Sequence, residues 1–349
     1  MAQLRQLNLG VNSFFGNIPA SIGLLTELRS LQLFHIPFSG SFSPKIGNLS
    51  NLERLELAYM TRITTTLPSE LTRMKKLKYL WVAGSNLVGE IPDTIGEMVA
   101  LGHLDLPRNN LSGKIRSGLL MPKNLSKVYL YKNKLSEEIL GVVEASNIDV
   151  IALSENYLTG TIPNDFGKLT KLSGLSLFMN QFSGKIPYSI GRLSELINLK
   201  LFNNNLSGTL PLGLGRLTGQ LPQHLGDNGR LVGVVASDNN LSGQLPKSLG
   251  NCNNLIFLNV QNNRFSGNIP IGLWTLMNMG SLLLSNNSSM GELPERLSHN
   301  LSRLEIGHNS RNAISGQIPE EFGSLPHLTD LDLSENQLSG KIPPQLGLL

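Results

Sequence analysis

Apolar residues in this chain fall in a fixed frame. Residues 172–195 carry leucine or isoleucine at 172, 175, 177, 186, 190 and 193, phenylalanine at 182 and asparagine at 180, and the frame restarts at Leu196. Written as a template it is LxxLxLxxNxLSGxIPxxIGxLxx, with a period of 24 residues. The alternation at 175–177 predicts a short strand with Leu175 and Leu177 inward and Gly174, Ser176 and Phe178 on the opposite face. One turn of chain cannot bury its own leucines, so neighbouring turns stack and share a core, which is the logic of a solenoid.

The first apolar position of the frame recurs at Leu4, Leu28, Leu52, Leu77, Leu101, Leu125, Ile148, Leu172, Leu196, Leu231, Leu255, Met279, Leu301 and Leu328. That is the leucine-rich repeat pattern, and it predicts about fourteen parallel strands, spaced about 4.8 Å apart, lining the concave side of an α/β solenoid. The bulkier Ile-Pro and Ile-Gly-x-Leu half of each turn predicts a convex side of 3₁₀ and irregular backbone. Asn180 ends the strand, where its amide can serve buried backbone groups of the turn. Gly184 is expected to reverse the backbone, and Pro187 sits where no ladder donor is needed. Residues 1–349 thus form a single repeat domain with no linker.

Several turns depart from the frame. Ile36 and Met60 stand where the second and third repeats should carry asparagine, and Ile115-Arg116 and Ile139-Leu140 lack the proline. Glu137 replaces the turn glycine, and about three extra residues lie between Asn309 and Ile314. The largest departure spans residues 196–230, a 35-residue unit where two repeats would need 48, so one strand is missing. Direct pairing of the strand at Leu199–Leu201 with that at Val234–Ala236 avoids an unpaired buried edge, whose orphaned groups would cost about 1–3 kcal/mol each. Both ends of the chain are repeats without polar caps, and Met1 opens directly on a strand, so the chain reads as a fragment without signal peptide or membrane span.

The chain carries charge +4, 15% charged residues, six scattered histidines and one cysteine. No basic nucleic-acid face and no disulfide framework follow from that, and Cys252 takes a core leucine position. The cluster Arg73, Lys75, Lys76 and Lys78 reads as a solvated flank. No nucleotide-loop, zinc, thiol-pair or serine-hydrolase motif is present, so no catalytic residue, metal or cofactor is expected. His103 and Asp105 neighbour each other with Arg108 close by, but no nucleophile accompanies them. Gly213, Gly215 and Gly219 are turn glycines, not a dinucleotide loop.

The outward strand positions are more informative. In order they hold Gln32, Phe34 and His35; Arg54, Glu56 and Tyr59; Tyr79 and Trp81; His103, Asp105 and Arg108; Lys127, Tyr129, Tyr131 and Lys132; Phe178; Lys200 and Phe202; then Phe257 and Asn259. Aromatics interleaved with charges on a solvent-facing sheet suit an extended peptide, although the same rings also suit simple packing on one another. Phe34, Tyr59, Tyr79, Trp81, His103, Asp105, Arg108, Tyr129, Tyr131, Phe178, Lys200 and Phe202 are the candidate ligand contacts. Asn-x-Ser sequons at Asn48, Asn110, Asn124, Asn205, Asn240, Asn286, Asn287 and Asn300 fit a secreted glycoprotein, and several coincide with the repeat frame itself.

LSGKI at 111–115, FSGKIP at 182–187 and LSGKIP at 338–343 resemble the plant-specific leucine-rich repeat. LKYLW at 77–81, GEIPDTIG at 89–96, GQLPQHL at 219–225 and LVGVV at 231–235 further resemble the ectodomains of plant receptor-like kinases of the HAESA-like group. The resemblance covers residues 4–349. It implies an ectodomain at the outer face of the plasma membrane that binds a secreted peptide on its concave face, with a shorter leucine-rich repeat co-receptor kinase docking near the C-terminal repeats. It also implies flanking signal peptide, caps, membrane helix and Ser/Thr kinase. Where many such receptors carry an Arg-x-Arg carboxylate clamp, this chain has Gly233 and Val235, which implies another peptide class or a lost site. Gly226 stands where related chains often have a cysteine that could bridge to Cys252. Two other readings remain open, namely a secreted inhibitor of a cell-wall-degrading enzyme and a truncated, non-functional remnant.

Overall fold

The structure is a computed structural model that describes residues 3–140, 143–210, 230–308 and 314–349. Its contacts divide into two compact units, residues 1–172 and 173–349.

In the first unit each repeat opens with a three-residue strand: β1 (Gln6–Asn8), β2 (Ser30–Gln32), β3 (Arg54–Glu56), β4 (Tyr79–Trp81), β5 (His103–Asp105), β6 (Lys127–Tyr129) and β7 (Val150–Ala152). Each pairs in parallel with the next, and the register aligns Leu7, Leu31, Leu55, Leu80, Leu104, Val128 and Ile151. From Leu31 onward this row is buried, which is why strands of only three residues hold. The second unit repeats the plan with β8 (Gly174–Ser176), β9 (Asn198–Lys200), β10 (Gly233–Val235), β11 (Phe257–Asn259), β12 (Ser281–Leu283), β13 (Arg303–Glu305) and β14 (Asp330–Asp332), again parallel throughout. The expected fourteen strand motifs all form strands. Leu175 and Leu177 point into the core, while Gly174, Ser176 and Phe178 lie on the open face.

β9 pairs directly with β10, Asn198 opposite Gly233 and Lys200 opposite Val235. The shortened unit therefore leaves the ladder unbroken at this point. The join at Leu217–Pro222, Gly213, Gly215, Gly219 and Gly226, and the extra residues after Asn309, lie outside the described residues.

Asparagines join successive repeats. Asn109 Nδ2 donates to Val82 O of the preceding repeat at 2.7 Å and to Leu106 O of its own at 3.0 Å. Its Oδ1 accepts the N–H groups of Ser85 (2.9 Å) and Leu87 (3.0 Å). Asn133, Asn156, Asn204, Asn239, Asn263, Asn287 and Asn336 repeat the arrangement. Each saturates backbone groups that the turn removes from the strand ladder. In the fourth repeat Ser85 holds this place, donating to Leu57 O at 2.6 Å and accepting Met60 N–H at 3.2 Å.

Gly184 does not reverse the chain. It takes φ +71° inside a short strand, Ser183–Lys185, that opens a second parallel ladder through Asn205–Gly208, Asn240–Gly243, Arg264–Asn268, Ser288–Glu292, Ile314–Gly316 and Gln337–Leu338. The first unit has a four-stranded counterpart from Val88–Gly89 to Tyr157–Thr159. The Ile-Pro-x-x-Ile-Gly half mostly forms 3₁₀ helices of four or five residues, such as Pro44–Asn48 and Asp93–Glu97, as the sequence predicts, and a short α-helix at Ile271–Thr275. Adjacent helices touch backbone to backbone: a Cβ on Gly47 would lie 2.4 Å from Glu70 O, so only glycine fits there. Cys252 is fully buried, and burial pushes its thiol pKa up.

Candidate ligand-binding face

Strand alternation turns the first and third residues of each strand outward, and parallel in-register pairing stacks those side chains in columns across the sheet. In the first unit the columns are aromatic and charged. The Arg54 guanidinium sits 4.0 Å above the Tyr79 ring centroid, Tyr79 stacks on His103 at 4.4 Å, and His103 meets Tyr129 at 5.5 Å. Beside this column runs a second group. Trp81 contacts Phe34 at 5.7 Å and Tyr59 at 5.8 Å, and Tyr59 stacks on His35 at 4.4 Å.

Two glycines seat these rings. A Cβ on Gly10 would lie 2.8 Å from the Phe34 ring, and one on Gly84 would lie 2.9 Å from Tyr59. Phe34 thus leans back over the first repeat and Tyr59 forward over the fourth, with Trp81 touching both. Ala58, between them, is fully covered. His35, Tyr59 and Arg108 occupy the residue before the ladder position and adopt φ of +54°, +58° and +56°.

Glu56 is 4% exposed and would be costly to bury alone; Arg54 Nε donates to its Oε1 at 2.5 Å. His103 Nε2 lies 3.4 Å from Asp105 Oδ2. Burial, and then the Asp105 carboxylate, raise the phenol pKa of both Tyr79 and Tyr129. These residues offer ring faces, paired charges and phenol hydroxyls, without a nucleophile beside His103. Among the described residues no group of histidine, cysteine and carboxylate side chains is arranged to hold a metal.

Phe34, Tyr59, Tyr79, Trp81, His103, Asp105 and Tyr129 are therefore brought together on one face of the first unit. Tyr131 is half-buried and makes no ring contact among the described residues, and Arg108 is exposed and forms no ion pair with Asp105. A cleft of about 530 Å³ opens on the first three repeats, lined by residues that include Gln6, Asn8, Arg29, Gln32, Glu53 and Arg54. In the second unit Phe178 and Phe202 stack face to face at 4.4 Å and 7°, with Lys200 exposed on β9. Gly10, Gly84 and Ser85 were silent as sequence, and only the one-residue offset of the small side chains at 10, 58 and 84 hinted at a seat for rings.

Asn48, Asn124, Asn205, Asn240, Asn286 and Asn300 are exposed, and Asn110 is half-buried. Asn287 is placed differently from the other sequon asparagines. It is a ladder residue, 6% exposed, whose Nδ2 already donates to Val260 O, Leu284 O and Ser285 O at 2.9–3.2 Å, so that nitrogen is not available to a glycan in the fold.

Comparison with known proteins agrees with this architecture. The leucine-rich repeat profile matches residues 147–169, 254–276 and 327–349. Receptor-like protein 52 of Arabidopsis thaliana is 45% identical over 83 residues, which is 24% of this chain and 10% of that protein. Among solved structures, the plant peptide hormone receptor RGFR1 in complex with RGF2 superposes with a TM-score of 0.90 at 30% identity, covering 99% of this chain and 54% of that one. The Arabidopsis receptor kinase HAESA, solved with the peptide hormone IDA and the co-receptor SERK1, gives a TM-score of 0.60 at 31% identity, covering 99% and 68%. The chain spans about a tenth of the curated relative and about half of the RGFR1 chain. No helix among the described residues is long and apolar enough to cross a membrane. With its repeat ladder, its asparagine spine and these relatives in view, the chain belongs to the leucine-rich repeat family, alongside the ectodomains of plant receptors.

Proposed function

We propose that this chain is a non-catalytic recognition segment of a plant leucine-rich repeat receptor, working at the outer face of the plasma membrane on a secreted, extended peptide. The observation that carries the reading is the ring path on the open face of the first unit, where Phe34, Trp81 and Tyr59 lie beside the Arg54–Tyr79–His103–Tyr129 column. Simple core packing needs no half-exposed rings above a fully formed leucine core; rigid aromatic anchors for a ligand do. Tyr131, Arg108, Phe178, Lys200 and Phe202 extend the candidate contacts. A shorter leucine-rich repeat kinase would serve as co-receptor, in the manner of SERK1 beside HAESA. The exposed sequons, from Asn48 to Asn300, would carry glycans.

The test is calorimetry of the chain against synthetic peptide hormones, beginning with RGF2 and IDA. Alanine at Tyr79, Trp81 and Tyr129 together should weaken binding by several kcal/mol. Unchanged affinity removes the site, and no binding by any peptide removes the reading.

A further inference from the structure

The open face of the second unit is electrically polarised. At one end Lys200 on β9 is exposed and makes no ion pair among the described residues, beside the stacked rings of Phe178 and Phe202. Three strands follow whose outward residues carry no charge: Gly233 and Val235, Phe257 and Asn259, Ser281 and Leu283. Space above Gly233 is open, the nearest atoms to an added Cβ being Asn198 Oδ1 at 3.4 Å and Phe257 O at 4.0 Å. At the other end β13 and β14 set Glu305 and Asp332 in register on adjacent strands, with Asp330 on the same strand. The Asp332 carboxylate accepts Ser334 N–H at 3.0 Å and Ser334 Oγ–H at 2.6 Å, and the hydroxyl bond holds its pKa below the usual carboxylate range. Neither Asp330 nor Asp332 forms an ion pair among the described residues, whereas Arg303 is engaged by Glu305.

An independent feature points to a missing partner on the same face. The Oγ of Ser285 is buried and has no hydrogen-bond partner among the described residues, and the residue is 5% exposed. Ser281, Leu283 and Ser285 share one side of the chain by alternation. The next repeat has Gly307 at the place of Ser285, and a Cβ there would lie 2.6 Å from both Asp332 carboxylate oxygens, so this side faces the acidic end. One side chain crosses the repeat that holds Leu283 and Ser285: Gln261, in the repeat before, donates through Nε2 to Glu305 Oε2, in the repeat after, at 2.5 Å. Gln261 thus supplies an N–H donor to an acid that a ligand donor could serve equally well, while leaving a buried hydroxyl unserved.

Building on the peptide reading above, we propose that the face from β9 to β14 is a dipolar seat for an extended peptide of seven or eight residues, with an anionic group at Lys200 and a basic side chain at Asp332 and Glu305. The length follows from spacing. Five strand steps of about 4.8 Å span about 24 Å, and an extended chain advances about 3.3 Å per residue. The uncharged middle accepts apolar or small residues without unpaired buried charge. The basic group displaces Gln261 from Glu305, which uncovers Leu283 for an apolar contact and Ser285 Oγ for a backbone group of the peptide. Opposite charges at the two ends fix the direction in which the peptide lies, because the reversed peptide meets like charge at both.

The experiment uses the full chain and pools of synthetic octapeptides: one with an acidic and a basic end in each chain direction, one neutral, one acidic throughout and one basic throughout, each as free acid and as terminal amide. The expected result is that one direction of the mixed-charge pool binds about tenfold more tightly than every other pool. Lys200→Glu combined with Asp332→Lys should then transfer the preference to the opposite direction. Lys200→Gln with Asp332→Asn, which alters the surface less, should abolish it. Loss of the preference on amidation assigns the anion to the terminal carboxylate, and retention assigns it to an acidic side chain. A directional preference that is absent, or that survives both variants, while RGF2, IDA or other peptides still bind, overturns this inference and leaves the peptide reading standing. Failure of every pool and of both hormones on the unmodified chain removes the two together.

Discussion

The side-chain oxygen of Asn133 accepts the backbone N–H of Leu111, 22 residues earlier, at 3.0 Å, while its nitrogen donates to Leu106 O and Leu130 O, each at 3.0 Å. One amide therefore serves backbone groups of two repeats in a buried place. Asn133→Ala leaves the Leu111 N–H without its partner, at about 1–3 kcal/mol for a group that water cannot reach, while Leu106 O and Leu130 O each keep a second donor, Asn109 Nδ2 and Asn156 Nδ2. The expected loss in urea unfolding is about 2 kcal/mol. Ser85→Ala removes a hydroxyl that serves Leu57 O and Met60 N–H. It should cost a comparable amount, about 1–3 kcal/mol, because both of those backbone groups lose this partner.

Glu137 occupies the place where most other repeats put glycine, and it takes φ +63°. A non-glycine residue there pays about 1–2 kcal/mol for crowding between Cβ and backbone. Its ion pair with Lys114, at 3.7 Å on an exposed surface, offsets little of this. Glu137→Gly should raise stability by about 1 kcal/mol after the extra freedom of the unfolded glycine is counted. Glu137→Ala keeps the Cβ and should give no such gain, so the pair of variants separates strain from charge in a thermal melt.

Tyr79 and Tyr129 both have phenol pKa values raised by burial and then by Asp105. A raised pKa favours the neutral phenol in the fold. The corresponding stability is complete below the unfolded value of about 10 and is lost as pH climbs through the folded values. The chain should therefore destabilise above about pH 10. Asp105→Asn removes one of the two causes, so tyrosinate absorbance should develop at lower pH for these two residues. Burial remains, and the midpoints should stay above those of exposed tyrosines. An unchanged titration would mean that the carboxylate does not act on the phenols.

The periodic half of this fold is legible because it is enforced by geometry that sequence states directly. Two inward leucines per strand, repeated at a fixed interval, leave one way to stack, and even the β9–β10 pairing across the shortened unit follows from keeping Leu199 beside Val234. The second ladder was hidden because its central residue is a glycine at positive φ, which alone reads as a turn; pairing with the neighbouring repeat keeps it extended. The open face was legible as a set of aromatic residues but not as an arrangement. Nothing in the spacing shows that Arg54 covers Tyr79, that Gly10 and Gly84 receive rings, or that Gln261 reaches over a whole repeat to Glu305. Those are choices of side-chain direction, made by which neighbour is small.

The overlapping sequons at Asn286 and Asn287 give a sharper case, because the fold treats adjacent asparagines in opposite ways. Asn286 is exposed at φ +55° and its Nδ2 donates to Asn262 Oδ1 at 2.7 Å. An amide nitrogen carrying one glycan keeps one hydrogen, so that bond can survive modification. Asn287 uses its nitrogen for three carbonyls and its oxygen for Phe265 N–H at 3.0 Å. Secretion from plant cells followed by peptide mapping should therefore find the glycan on Asn286. Asn286→Gln should leave folding intact and empty this pair of sites rather than shift the glycan by one residue. Asn287→Gln should lower stability by about 2–4 kcal/mol through the lost ladder bonds, with the glycan still on Asn286 in the molecules that fold. A glycan on Asn287 in a stably folded chain would mean that the twelfth repeat holds together without its asparagine.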